Sequence, residues 1–182
     1  MPSPHATALA QLFRHRWAAP VLVALDQAQG AKFVTLASRL EVSRDSLRRT
    51  LDALVEAGWV MPNPGYGHPM RPEYVLTRDG KRLAPWCARV LKTLESLGGE
   101  GVWLRKWSLA VAAALGSGEL RFSELAAALP GVTARALTQT LKALEDTGGV
   151  ERRVVPGYPP WVGYRLSDRA ETLVAVLKRP PL

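Results

Sequence analysis

Polar residues able to pair with nucleic-acid bases recur at helical spacing in residues 133–142 (TARALTQTLK). Three of them, Arg135, Gln139 and Lys142, fall on one face of a helix, opposite a stripe of leucines, and Thr138 lies at the flank. Arginine can pair bidentately with guanine and glutamine with adenine, while lysine and threonine can hold phosphates or base edges. The spacing therefore predicts a helix face that contacts DNA; a merely solvated face is the alternative.

An earlier segment, residues 43–52 (SRDSLRRTLD), has the same spacing but a different polar face. Its outward positions hold Asp45, Arg49 and Asp52, with Arg48 at the flank. Carboxylates there would oppose DNA phosphates and lower affinity, although a carboxylate can accept a hydrogen bond from cytosine. Alternatively, Asp45–Arg49 and Arg48–Asp52 are i,i+4 ion pairs that stabilise the helix. We expect this segment to read a different half-site or to contact only the DNA backbone, and to contribute less than the later segment.

Each of these segments is followed by two β-prone runs around a Pro/Gly tip, which is the pattern of a hairpin. In the second hairpin Arg152 and Arg153 lead toward the tip, whereas the first offers only His68 and Arg71 near its tip. Cations on such a hairpin usually touch phosphates or reach the minor groove. For Trp161 the alternative is that it packs the hairpin against its own domain.

The two segments look alike because the chain contains a tandem repeat. A shift of 90 positions aligns residues 42–80 with residues 132–170 without a gap, and 12 of these 39 positions are identical. Both copies carry leucines at i, i+4 and i+7, a stripe wide enough to face a core. The candidate DNA contacts are Thr133, Arg135, Thr138, Gln139, Lys142, Arg152 and Arg153 in the second copy, and Ser43, Arg44, Arg48, Arg49 and Arg71 in the first.

Caps delimit the leucine-bearing helix of each copy. Ser43 and Thr133 stand at the N-cap positions, and Gly58 and Gly148 stand where a C-terminal cap is expected. The full order in each copy is helix, helix, turn, helix, hairpin, helix, which is that of a winged helix-turn-helix.

A cluster of glycines between Gly98 and Gly101 marks the boundary between the copies. We predict a mainly α fold with small β-hairpins (α+β), made of two tandem winged helix-turn-helix domains. The first domain takes residues 1–97, with N-terminal and closing helices, and the second takes residues 102–182.

The second copy resembles the HxlR-type winged-helix transcriptional regulators over residues 105–173. The resemblance rests on Lys106-Trp107, on RFSEL and LPGVTARALTQTLKALE, on GGVERRVV, on the double proline of the hairpin tip and on GYRLS. Residues 15–95 resemble the same pattern more weakly, without the LTQ triplet and the double proline. The resemblance implies a bacterial or archaeal regulator that binds double-stranded DNA.

Members of that family typically carry one such unit and pair into homodimers through terminal helices. Two units in one chain imply either a monomer that imitates this dimer, packed as a pseudo-dimer through terminal and linker helices, or a homodimer of the whole chain. The operator, the regulated genes, the sign of regulation and any small-molecule effector are not encoded in these motifs.

The charge balance is consistent with a nucleic-acid partner. Lys and Arg number 24 against 16 Asp and Glu, for a net charge of +8 and an isoelectric point near 10.1. Residues 1–97 hold 13 basic and 8 acidic residues, and residues 98–182 hold 11 and 8, so both copies are basic. A surface charged only for solubility is the alternative.

Composition favours a folded cytoplasmic protein associated with the nucleoid. Hydrophobic residues make up 47% and charged residues 22% of the chain, and no apolar run approaches the ~20 residues of a membrane span. The N-terminal residues lack the pattern of a signal peptide. One cysteine rules out an internal disulfide framework and fits a reducing compartment.

Signatures of enzymes and metal sites are missing from the sequence. His5, His15, His68 and Cys87 have no metal-ligand spacing, and the glycine cluster is not followed by the Lys-Ser or Lys-Thr of a phosphate loop. We expect no enzymatic activity and no cofactor. Beside Trp86, Cys87 is predicted to be a buried structural thiol, with a reactive thiol as the alternative.

Three hypotheses for function follow. The first is a sequence-specific transcriptional regulator that uses two winged helices in one chain. The second is an architectural or repair-associated DNA-binding protein that relies mainly on phosphate contacts. The third is a tandem winged-helix scaffold that binds proteins, which the acidic face of residues 43–52 leaves open for the first copy.

Overall fold

Both copies fold with the predicted order of elements and with one additional short strand each. The computed structural model describes residues 9–63, 73–178 and 181. The described residues form two compact units: residues 17–91 make the first unit, and residues 92–178 together with residues 9–16 make the second unit. This division follows contacts in space and so differs from boundaries drawn from the repeat.

The first unit contains a helix-turn-helix pair followed by a small sheet. Its elements are α1 (Ala18–Ala28), β1 (Ala31–Lys32), α2 (Phe33–Arg39), α3 (Arg44–Glu56), β2 (Val60–Asn63), β3 (Glu73–Leu76) and α4 (Arg78–Leu97), of which α4 extends beyond the unit. The strands pair antiparallel in the order β1-β3-β2. Ala31 lies opposite Tyr74, and Val60 lies opposite Leu76.

The second unit repeats this plan. Its elements are α5 (Glu100–Trp103), α6 (Ser108–Leu115), β4 (Leu120–Arg121), α7 (Phe122–Ala128), α8 (Ala134–Asp146), β5 (Val150–Val155), β6 (Trp161–Leu166) and α9 (Thr172–Leu177). Its sheet has the equivalent order β4-β6-β5, again antiparallel.

The predicted fold class is confirmed: the chain is mainly α with small antiparallel sheets, arranged as two winged helix-turn-helix units in tandem. Strands β1 and β4 were not predicted. Each is only two residues long and pairs with the returning strand of its wing. A strand of two residues has no room for the alternation by which strands are recognised in sequence.

Helices α3 and α8 have the predicted caps and the predicted buried stripe. The hydroxyl of Ser43 accepts a hydrogen bond from the backbone N–H of Ser46 at 3.4 Å, and the hydroxyl of Thr133 accepts one from Ala136 at 3.2 Å. The residues after the helices, Gly58 and Gly148 in the left-handed region, end them as expected. The buried stripes are Leu47, Leu51 and Leu54 in α3, and Leu137, Leu141 and Leu144 in α8.

One tryptophan fixes the end of α8 against the rest of the second unit. Trp103 is 1% exposed, and its indole lies against Gly149. Gly149 is the single residue between the capping glycine, Gly148, and the start of β5. A Cβ atom on Gly149 would lie 2.3 Å from Trp103 Cζ2, so only glycine leaves room for the ring. This packing sets the direction in which the chain leaves α8 for the wing.

Candidate nucleic-acid interface

The outward face of α8 carries the residues predicted to read bases. Arg135, Thr138, Gln139 and Lys142 are all exposed, while the leucine stripe on the opposite face is buried. Within the described part of the chain, Arg135, Gln139 and Lys142 make no side-chain hydrogen bond or ion pair. Their donors and acceptors are therefore available to an external partner.

The threonines of this helix have mixed roles. Thr133 caps α8 with its hydroxyl, as described above, so its side chain positions the helix. The hydroxyl of Thr138 donates to the carbonyl of Ala134 at 2.9 Å and keeps its oxygen free to accept. The first backbone N–H groups of α8 have no partner within the helix, and together with its dipole they favour an anion there.

The outward face of α3 differs in charge and in how its arginines are held. Arg48 places its guanidinium 5.8 Å from the ring centroid of Phe33, and Arg49 donates from Nε to the backbone carbonyl of Asp45 at 3.3 Å. The alternative reading of this face, i,i+4 ion pairs, is not supported, because neither Asp45–Arg49 nor Arg48–Asp52 forms one among the described residues. The two carboxylates are thus exposed on this face without a paired cation. Two further candidate contacts at the start of the helix, Ser43 and Arg44, are exposed.

Two neighbouring arginines on β5 differ in their partners. Arg153 forms a bidentate ion pair with Glu119, with Nε–Oε1 at 2.8 Å and Nη2–Oε2 at 2.6 Å. The hydrogen bond from Arg153 lowers the pKa of the Glu119 carboxyl, and the same bond raises the pKa of Arg153. Arg152 is exposed and has no such pair in the described part of the wing. The pair forms across Gly163, where a Cβ atom would lie 2.2 Å from Glu119 Oε1.

A cation missed by sequence reasoning also lies on this wing. The guanidinium of Arg121, in β4, lies 4.5 Å from the ring centroid of Trp161, in β6, and Arg121 is exposed. Because β4 pairs with β6, Arg121 stands opposite Gly163. From sequence, Arg121 could have been identified only by recognising the two-residue strand that brings it onto the sheet.

The first wing can be compared only in part. The predicted contact Arg71, like His68, lies outside the described residues, which stop at Asn63 and resume at Glu73.

Cys87 is inaccessible and held in its neutral form. Its exposed fraction is 0%, and burial raises the pKa of the thiol from 9.0 to about 12. A thiol that is neither ionised nor exposed is a poor nucleophile. The structure thus favours the structural role over the redox role.

No group of three or more His, Cys, Asp or Glu side chains that could hold a metal ion occurs among the described residues. Likewise, none of the helices in residues 9–63 and 73–178 is long and apolar enough to cross a membrane.

Comparison with known proteins matches both units to one family. The model of the HxlR-like helix-turn-helix family matches residues 12–100 and, separately, residues 102–179. An uncharacterized HTH-type transcriptional regulator of Methanothermobacter thermautotrophicus is 40% identical over 72 residues, which cover 40% of this chain and 55% of that protein. The uncharacterized regulator YvaP of Bacillus subtilis is 35% identical over 91 residues, covering 50% of this chain and 79% of that protein.

The chain thus spans between about half and four fifths of the length of these two relatives. Among solved structures, the reduced form of the transcriptional regulator YodB from B. subtilis is similar, with 31% identity, a TM-score of 0.41, and coverage of 43% of this chain and 76% of that one. Because the family model matches twice and together covers nearly the whole chain, this protein belongs to the HxlR-like helix-turn-helix family and carries the family's domain twice in tandem.

Proposed function

We propose that the chain is a transcriptional regulator that binds double-stranded DNA, with α8 as the main reader of base edges. The observation that carries this proposal is the outward face of α8. Four side chains suited to bases and phosphates are exposed there, and Arg135, Gln139 and Lys142 make no side-chain hydrogen bond or ion pair with other described residues. A helix in this position of a helix-turn-helix enters the major groove with its N-terminal part, where Arg135 and Gln139 lie.

Each remaining element has a narrower role in this proposal. Arg152 contacts phosphates beside the groove, because it is the β5 arginine that is not held by Glu119. Helix α3 adds contacts with the DNA phosphates through Arg44, Arg48 and Arg49. The exposed carboxylates of the same helix repel the phosphates and weaken these contacts.

The two units of one chain supply both halves of a DNA site that single-unit members of the family supply by pairing. If the units dock pseudo-symmetrically, the preferred site contains two half-sites about one helical turn, ~34 Å, apart, and one chain suffices for each site. This role places the protein with the chromosome in the cytoplasm. A homodimer of the whole chain would instead bind two chains to each site, which native mass spectrometry of the complex distinguishes.

Selection from random genomic fragments tests the proposal. The full chain is incubated with fragments at two salt concentrations, and the retained DNA is sequenced. An enriched motif that is lost in the Arg135→Ala, Gln139→Ala double variant supports the regulator. The matched control is Lys178→Ala, which removes one exposed cation just after α9 of the same unit and should keep the motif.

Two other outcomes overturn the proposal in favour of a different function. Retention without any motif, with a steep dependence on salt, indicates an architectural protein that holds phosphates only. No retention at low salt rules out both DNA-binding functions and leaves the protein-binding scaffold.

A further inference from the structure

A small cavity in the second unit lies between residues 10–14 and the turn of the helix-turn-helix. Its volume is about 240 Å³, just below the range of about 300–1,000 Å³ typical of sites for drug-sized ligands. It therefore suits a compact ligand with a single ring. Its walls include Gln11, Arg14, Lys106, Trp107, Leu129 and Pro130.

Among the described residues, the polar lining of this cavity is cationic or neutral. Arg14 and Lys106 supply two positive charges and Gln11 supplies an amide, and no carboxylate of the described residues lines the walls. Neither Arg14 nor Lys106 forms an ion pair with any described residue. Two cations that share a concave site without a counterion favour an anionic occupant.

The rest of the lining is apolar and partly aromatic. Lys106 Nζ lies 4.8 Å from the ring centroid of Trp107, which is half-buried. Leu129, 1% exposed, and Pro130 complete the apolar side. A planar apolar body can pack on these residues while its charged group stays near the cations.

A larger groove in the same unit lacks this property. It has a volume of about 650 Å³ and includes Arg153 and Arg165. Both arginines are already paired, with Glu119 and Glu151 respectively, and the groove's other cation, Lys178, shares the lining with the carboxylate of Glu171. Unlike the smaller cavity, this groove therefore carries carboxylates that offset its cations.

We propose that the smaller cavity is an effector site for an aromatic carboxylate, whose carboxylate binds Arg14 and Lys106 and whose ring packs against Trp107 and Pro130. The site is coupled to α8 through the chain itself. Pro130 is three residues from Thr133, the N-cap of α8, and Gly131 between them has a φ of +82°. A ligand that moves this turn displaces the N-terminal part of α8, where Arg135 lies. This coupling rests on the proposed function, whereas the binding of the ligand does not.

Calorimetric titration of the full chain with benzoate tests the site without DNA. Benzoate should bind saturably, and benzamide, which has nearly the same shape but no charge, should bind at least about tenfold more weakly. Lys106→Met should weaken benzoate binding by about tenfold, since it keeps most of the stem and removes the charge. Arg14→Gln should have a similar effect.

The matched control is Arg105→Met, which removes the same charge from the exposed neighbour that does not line the cavity. It should bind benzoate as the unmodified chain does, and Lys106→Arg should retain binding even if Lys106→Met is poorly folded. The proposal is overturned if benzoate does not bind saturably, or if Arg105→Met and Lys106→Met weaken binding equally. It is also overturned if inorganic phosphate binds more tightly than benzoate, since the cavity would then be a contact for DNA phosphates.

The regulatory part is tested with an operator found in the fragment selection. Saturating benzoate should change the Kd for that DNA by about threefold or more, and the change should disappear in Lys106→Met. If benzoate binds but leaves the Kd for DNA unchanged, the effector role is wrong. If the chain binds no DNA, the proposed function is wrong, and the calorimetric result still decides whether the cavity binds the carboxylate.

Discussion

The guanidinium of Arg153 is tied by two hydrogen bonds to the carboxylate of Glu119, at 2.8 and 2.6 Å. The carboxylate comes from the segment before β4 and reaches the arginine over Gly163, which has no side chain to block it. Arg152, the preceding residue of β5, has no such partner among the described residues. Two adjacent arginines on one strand are therefore unequal in what they can offer to a phosphate.

Replacing Arg152 and replacing Arg153 should therefore have different effects on DNA binding. Arg152→Ala should weaken binding at all sequences and reduce the slope of log K against log salt by about 0.9, the value for one lost phosphate contact. Arg153→Ala removes the same charge, but from a pair that is already neutralised, so its slope should change little. Fluorescence anisotropy over a series of salt concentrations measures both slopes.

The variant Glu119→Gln checks this explanation. Without the carboxylate Arg153 is free, so Arg153→Ala in that background should lower the slope as Arg152→Ala does. Equal slopes for the two arginine variants in the unmodified chain would contradict the assigned roles.

The two recognition helices should contribute unequally. If α8 reads bases as proposed, Arg135→Ala plus Gln139→Ala removes contacts that discriminate bases, each about 1–3 kcal/mol. Arg48→Ala plus Arg49→Ala in α3 removes two charges but no base contact, so the loss should be smaller at the preferred sequence. Competition with unrelated DNA separates the two effects, because only the α8 pair should lower the ratio of specific to nonspecific affinity. A larger loss of specificity from the α3 pair would reverse this ranking.

The acidic face of α3 offers a direct test of whether the first unit contacts DNA. Asp45→Asn plus Asp52→Asn removes two exposed carboxylates that have no paired cation among the described residues. If α3 lies against phosphates, affinity at low salt should rise by roughly a factor of five, and the gain should shrink as salt screens it.

The matched control is Asp79→Asn plus Glu95→Gln, which makes the same charge change on two exposed positions of α4. It should raise affinity by less. An equal rise in both variants would mean that only the total charge matters, and would place α3 away from the DNA.

Most of the fold was predictable because both repeats carry the same pattern of apolar residues that become buried. Leucines at helical spacing, hydroxyl caps and a terminal glycine act through local geometry, so α3 and α8 could be located from sequence alone. The exposure of Arg135 and Gln139 followed from the same periodicity. The β-prone runs around each Pro/Gly tip likewise predicted the wings and the order of elements, and the family resemblance added the expectation of a DNA-binding regulator.

What sequence reasoning missed depends on contacts between distant residues. The Arg153–Glu119 pair joins residues 34 positions apart, and Arg121 meets Trp161 only because a two-residue strand pairs with β6. In α3, the alternative ion pair of Arg48 with Asp52 gives way to Phe33, which belongs to another helix and lies under the guanidinium of Arg48, whereas Arg49 donates to the backbone carbonyl of Asp45 and not to its carboxylate. Periodicity carries no information about which of several nearby partners a long side chain will choose.

The contact between Trp103 and Gly149 predicts a large stability effect from one methyl group. Gly149→Ala places a Cβ atom at 2.3 Å from Cζ2 of the indole, so the ring or the backbone must shift, at about 3 kcal/mol. The control is the neighbouring Gly148→Ala, which meets no atom but has a φ of +69° and should cost about 1 kcal/mol. Urea unfolding measures both.

A second substitution tests the cause. In the Gly149→Ala background, Trp103→Phe removes ring atoms from the crowded position and should cost less than it does in the unmodified chain. Additive losses would show that the methyl group does not act through the indole.

Burial of Cys87 predicts that stability falls at high pH. The folded thiol has a pKa of about 12, against 9.0 for an exposed thiol, so between these values the unfolded chain loses a proton that the folded chain retains. The unfolded state is then favoured as pH rises, and at about pH 10 the free energy of unfolding should be lower by roughly 1 kcal/mol from this group alone. Urea unfolding at about pH 8 and pH 10 measures the change, and Cys87→Ala, though less stable at both, should show a smaller difference between them. A thiol reagent should modify Cys87 no faster than the folded chain opens. Rapid modification of the folded protein would show that the thiol is accessible, and the redox role would then be favoured over the structural one.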